Sequence, residues 1–142
     1  MGVKTYPAIK GSILEGLSRI LGDTNYGLTG TEIGKFLPEV GIKDVDTTNT
    51  KWKRIYNAFV TYQNEKKISN NILKFIIKSI SPARYLGKNE QFEDIRTELN
   101  KRLSFIGLEY KANGKFTSAT KSNTISEAEQ KANRLKSKLE VD

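Results

Sequence analysis

The stretch Thr48-Asn-Thr-Lys-Trp-Lys-Arg-Ile-Tyr-Asn-Ala-Phe-Val-Thr-Tyr-Gln-Asn-Glu-Lys-Lys67 decides how this chain is read. From near Asn49 to about Glu65 it carries a helical pattern. Trp52, Ile55, Tyr56, Phe59 and Gln63 fall on one side at 100° per residue, and Lys53, Arg54, Asn57, Thr61 and Asn64 on the other. The first side predicts a core stripe and the second an exposed basic face. Residues 48–88 hold nine basic side chains (Lys51, Lys53, Arg54, Lys66, Lys67, Lys74, Lys78, Arg84 and Lys88) against the single acid Glu65. That segment accounts for the whole +8 of the protein. Charge concentrated in this way speaks about an anionic partner, not about fold.

Helical signals continue on both sides. Ile9, Ile13, Leu14, Leu17, Ile20 and Leu21 define a first helix, with Pro7 expected in its first turn. A loop over 22–27 follows. Thr29 and Glu32 have the spacing of a capping box, in which each side chain satisfies a backbone amide at the helix start. Ile33, Phe36, Leu37 and Val40 supply the apolar face of that second helix, and Gly41 ends it. The second and third helices read as a helix-turn-helix-like pair, although the connection is longer than the three or four residues of the standard motif. Asp44 and Asp46 lie in that connection and are expected to cap the basic helix.

Ser69 or Asn70 should cap a fourth helix with a wide apolar arc (Ile72, Leu73, Phe75, Ile76, Ile77, Ile80), followed by a short helical turn over 82–86. A fifth helix, capped by Asn89, carries the stripe Phe92, Ile95, Leu99, Leu103 and Ile106 and closes at Gly107. Asn113-Gly114 between two short extended runs predicts a tight hairpin. The fold expected is mainly α: a compact bundle of about five helices with the helix-turn-helix-like pair, a small C-terminal β-hairpin and a trailing C-terminal helix. Residues 1–118 form a helical recognition domain, 119–125 a linker, and 126–142 a C-terminal connector or oligomerisation helix. The last has a narrow seam, Ile125, Ala128, Ala132, Leu135 and Leu139, of about two heptads.

Composition narrows the chemistry. The 142 residues include no Cys and no His, which removes the usual zinc ligands and every His- or Cys-based mechanism. No apolar run approaches the roughly 20 residues of a membrane span, and no signal-peptide core is visible, so a cytoplasmic setting without membrane association is expected. No cofactor is called for. Glu109-x-Lys111 echoes the Glu-x-Lys element of metal-dependent nucleases but lacks an acid on the following strand. Trp52, Tyr56 and Phe59 read as core, with Tyr62 open as a stacking residue.

Four stretches taken together resemble a known family: Leu28-Thr-Gly-Thr-Glu-Ile-Gly-Lys-Phe-Leu37, Thr48-Asn-Thr-Lys-Trp-Lys-Arg-Ile-Tyr-Asn-Ala-Phe59, Ser81-Pro-Ala-Arg-Tyr-Leu-Gly87, and Phe92-Glu-Asp-Ile-Arg-Thr-Glu-Leu-Asn100 with Asn113-Gly-Lys-Phe116. Their order and spacing over 28–116 resemble the N-terminal region of the Ymh-type family of bacterial and prophage proteins. The resemblance implies a downstream HEPN-like ribonuclease domain with an Arg-Asn…His signature. This His-free chain lacks that signature, so the ribonuclease role transfers to no residue here. It also implies a phage-defence or mobile-element context and a stand-alone or excised N-terminal module.

The expected function is therefore a non-catalytic nucleic-acid-binding module for DNA or RNA. Lys51, Lys53, Arg54, Lys66 and Lys67 would lie on phosphates, with Asn57 and Thr61 on bases or sugars. The alternative is a protein-interaction adaptor of a toxin or abortive-infection system. In either case the last helix would join a downstream effector domain, a protein partner or a second copy of the chain.

Overall fold

A computed structural model describes residues 4–121. Among them are five α-helices: α1 (Gly11–Leu21), α2 (Gly30–Glu39), α3 (Lys51–Lys66), α4 (Asn70–Ser79) and α5 (Asn89–Leu103). Two strands, β1 (Leu108–Tyr110) and β2 (Phe116–Ser118), form an antiparallel hairpin in which Glu109 stands opposite Thr117. The backbone separates into two compact units with a boundary between Ser81 and Pro82; the sequence placed no boundary there. The expected connector helix over 126–142, and most of the linker before it, lie outside the described residues.

In the first unit α1 packs along α3, and α2 packs on both α3 and α4. The core is aliphatic, built from Leu14, Leu17, Leu21, Ile33, Leu37, Ile55, Ile72 and Ile76, with Phe59 edge-on to Phe75 at 5.3 Å between ring centroids. Thr29 and Glu32 form the reciprocal capping box the sequence predicts, at 3.1 and 2.8 Å.

Two positions depart from the sequence reading. Pro7 is not in the first turn of α1; it pairs in an isolated antiparallel bridge with Ile68. The segment before α1 is extended, and the start of α4 holds it. The Ser69 amide donates to the Tyr6 carbonyl at 2.9 Å, Ser69 Oγ to Pro7 O at 2.8 Å, and Asn70 bonds both Tyr6 N and Lys4 O. Ser69 and Asn70 thus serve this strand and make no side-chain cap on α4. Buried Gln63 extends the same pairing: its Oε1 accepts from Ile9 N at 2.7 Å and its Nε2 donates to Ile9 O at 3.0 Å. A carboxamide reproduces the donor–acceptor pair of a peptide group, which is why a polar residue sits on the inward face of α3.

The second unit packs the hairpin on α5. Its core comprises Phe92, Ile95, Leu99, Leu103, Leu108 and Tyr110. Asn100 does here what Gln63 does in the first unit, accepting from Tyr110 N at 2.7 Å and donating to Tyr110 O at 3.1 Å. Burial, reinforced by Tyr85 and opposed by Arg96, pushes the Tyr110 phenol up to about 12. Ile106 has left the α5 stripe for a 3-10 turn (Ser104–Ile106), and Gly107 follows at φ 73°, a left-handed backbone that glycine adopts without strain. The expected cap on α5 is also shifted, since Asn89 is the first helical residue and Lys88 precedes it.

Candidate nucleic-acid interface

The α3 helix has 16 residues, a rod of about 24 Å. Its buried side comprises Ile55, Ala58, Phe59, Tyr62 and Gln63. Tyr62 is therefore core, and its hydroxyl accepts from the Asn71 amide at 3.3 Å, which removes it as a stacking candidate. Trp52 and Tyr56, both expected in the core, are half-buried.

The seven candidate residues do not form one face. Lys51, Lys53, Arg54 and Asn57 belong to the first two turns, Thr61 to the middle, and Lys66 and Lys67 to the far end. Lys53, Lys66 and Lys67 are exposed, and Lys51 and Thr61 are half-buried. Lys66 and Lys67 lie where a helix dipole favours cations; Lys51 and Lys53 lie where it disfavours them. Lys67 additionally takes the left-handed conformation that ends the helix, at φ 63°.

Arg54 and Asn57, the two groups with the geometry to read a base edge, are engaged within the fold. Arg54 donates from Nε to Asp44 Oδ1 at 3.0 Å, from Nη2 to Asp44 Oδ2 at 2.5 Å and from Nη1 to the Gly30 carbonyl at 3.1 Å. Its side chain is only 13% exposed. It is a strut joining the α2–α3 connection to the start of α2, not the outward cation the helical pattern predicts. The Asp44 carboxylate raises its already high pKa further, chiefly by hydrogen bonding.

Asn57 Nδ2 donates to Asp46 Oδ2 at 2.7 Å, which uses one of its two N–H donors and fixes the amide toward the connection instead of toward a base edge. Neither aspartate makes the expected cap; Thr50 occupies the cap position of α3 without a side-chain hydrogen bond. The reason is distance along the chain. Residues 40–50 form a connection too long for a strict helix-turn-helix, and its carboxylates turn onto the flank of α3 instead of its end.

One residue joins the cluster that the sequence did not single out. Arg19, in the last turn of α1, places its guanidinium carbon 3.9 Å from the Trp52 ring centroid, and Lys53 Nζ lies 5.8 Å from the same ring. The two helices meet closely at this point: a Cβ on Gly22 would lie 2.6 Å from Trp52 N. A basic residue near a helix end was the only linear signal for Arg19, and nothing local ties it to a tryptophan in another helix.

Lys74 on α4 is exposed, and no acidic partner is found for Lys51, Lys53, Lys66, Lys67 or Lys74 among the described residues. Glu109 lies on β1 with Lys111 Nζ 3.8 Å from one carboxylate oxygen, and the facing strand contributes Phe116, Thr117 and Ser118 and no acid. No cluster of three metal-ligating side chains occurs among the described residues, and none of their helices is long and apolar enough to cross a membrane. No family model, no curated protein and no solved structure matches the chain.

Proposed function

We propose that the chain is a non-catalytic nucleic-acid-binding module that grips the phosphate backbone. The observation that carries this reading is that four of the five basic side chains of α3 and its C-cap, Lys51, Lys53, Lys66 and Lys67, have no acidic partner among the described residues. Lysines spread along a rod neutralise phosphates and release counterions, which supplies affinity with little sequence preference. Because Arg54 and Asn57 are engaged by Asp44 and Asp46, base readout plays a small part and recognition is mostly electrostatic. The phage-defence or mobile-element setting rests on the resemblance alone.

A gel-shift series with duplex DNA, single-stranded DNA and RNA across salt concentrations tests this reading. On duplex DNA, log affinity should fall by roughly 0.9 per log unit of salt for each phosphate neutralised. Binding that is tight but indifferent to salt, or no binding to any of the three, overturns it.

A further inference from the structure

Three arginines illustrate different uses of the guanidinium. Arg54 and Arg96 each have all three nitrogens in hydrogen bonds to the protein. Arg19 has one: Nε donates to Glu15 Oε2 at 3.0 Å. Its Nη1 and Nη2 make no hydrogen bond among the described residues, and its side chain is 56% exposed. Yet the group is not loose. Trp52 covers one face at 3.9 Å and Glu15 holds the inner edge. A cation over an indole is held by the ring quadrupole, and a planar fork fixed in this way loses little further entropy when it binds an anion.

Glu15 could be thought to use up the charge. An exposed i,i+4 pair contributes little, and it occupies only the Nε edge. The two terminal nitrogens keep the parallel N–H donors that match two oxygens of one phosphate. Lys51 and Lys53 flank Trp52 in sequence, and both lack an acidic partner among the described residues. Two cations from two helices, Arg19 and Lys53, therefore meet at the chain's one tryptophan.

We infer that Arg19 is a phosphate-binding residue of the nucleic-acid interface, held by Trp52 and Glu15 so that Nη1 and Nη2 take two oxygens of a single backbone phosphodiester. This inference rests on the nucleic-acid reading above and extends it from α3 to α1. Its ligand is a phosphodiester in a polynucleotide, which Lys51 and Lys53 engage on neighbouring phosphates.

The single tryptophan reports on the site directly. The full chain is titrated with a duplex oligonucleotide across salt, following both gel shift and Trp52 emission, for the wild type, Arg19→Ala, Arg19→Lys and Lys53→Ala. Wild-type emission should change on binding. Arg19→Ala should weaken binding roughly three- to tenfold and lower the salt slope by about 0.9. Arg19→Lys should keep the slope, because the charge remains, and still bind more weakly than wild type because the fork is gone.

Wild-type affinity and slope in Arg19→Ala, alongside weakened Lys53→Ala, would overturn the inference and leave the nucleic-acid reading intact. So would unchanged Trp52 emission in a wild-type protein that binds. An emission change with inorganic phosphate matching that with oligonucleotide, at equal phosphate concentration, would reassign the site to a free anion and overturn it too. Absence of any wild-type binding would remove the nucleic-acid reading and this inference with it.

Discussion

The α3 and α5 helices solve one structural problem in the same way and treat charge in opposite ways. Each uses a buried carboxamide, Gln63 or Asn100, to hold the backbone of an extended segment by a donor and an acceptor together. On α5 every basic side chain is paired: Arg96 with Glu93, and Lys101 and Arg102 with Glu98. Its ends also suit the helix dipole, with Glu90 in the first turn and Lys101 and Arg102 in the last. On α3 only Arg54 is paired, and the first turn contains lysine and no acid. Charge on α5 is spent inside its own unit. Lys51 and Lys53, in the first turn of α3, are held against the preference of their own helix, a placement that the proposed nucleic-acid contact would account for.

The largest expected effect sharpens that contrast. Arg96 is 7% exposed and bonds both Glu93 and the Tyr110 carbonyl. Arg96→Ala should destabilise the second unit by about 3 kcal/mol, because it leaves the partly buried Glu93 carboxylate without its two donors and removes one of the two donors to the Tyr110 carbonyl, which keeps Asn100. Arg54 is the exception on α3 and should behave like Arg96, though its pair is more exposed; Arg54→Ala should cost the first unit about 2 kcal/mol. Hydrogen exchange of the amides in each unit measures both losses separately. If Arg54→Ala left the first unit unchanged and abolished nucleic-acid binding, Arg54 would belong to the interface after all.

A smaller effect, of opposite sign, is expected where α3 differs from α5. Lys51→Glu or Lys53→Glu replaces a cation at the positive end of a helix dipole with an anion. Each should stabilise the fold by about 0.3–1 kcal/mol in denaturant unfolding at low salt while weakening nucleic-acid binding. A gain in stability together with a loss of binding is the signature of residues retained for function. A loss of stability in both variants would mean that the two lysines support the fold, and the contrast with α5 would collapse.

The legible parts of the molecule are those whose cause lies within a few residues. Thr29 and Glu32 announce α2 because a capping box spans four positions. Asn113-Gly114 announces the hairpin, and Gly114 takes the required positive φ of 82°. The apolar period finds all five helices for the same reason. The extended segment at Pro7 was not legible, because its partners Ile68, Ser69 and Asn70 lie some sixty residues away and only folding brings them together. The same holds in the candidate interface. Helical angle places Lys53 correctly on the outside, but it cannot show that Asp44 and Asp46 turn back onto Arg54 and Asn57. Nor can it show that Arg19 reaches Trp52. Periodicity assigns a side to a residue; the partner on that side comes from another element.

The smallest expected effect tests the connection that engages Asn57. Hydrogen bonds from Asn49 and Asn57 lower the Asp46 carboxyl below its ordinary value of 3.8, slightly opposed by desolvation. A carboxyl whose folded pKa is depressed contributes stability above its unfolded value and loses it as pH falls through the folded one. The Asp46 contribution should therefore be complete at pH 6 and should decline only below about pH 3.8. Asp46→Asn keeps an acceptor oxygen but carries no charge, so its stability should lack this component of the pH dependence. Urea midpoints of the two proteins should differ slightly at pH 6 and converge as the pH drops below that value. Because Asn49, which also bonds Asp46 at 2.8 Å, is exposed, added salt and water competition keep the difference small. Identical midpoints at pH 6 would show that Asp46 does not stabilise the connection, and Asn57 would then be free to turn outward toward a ligand.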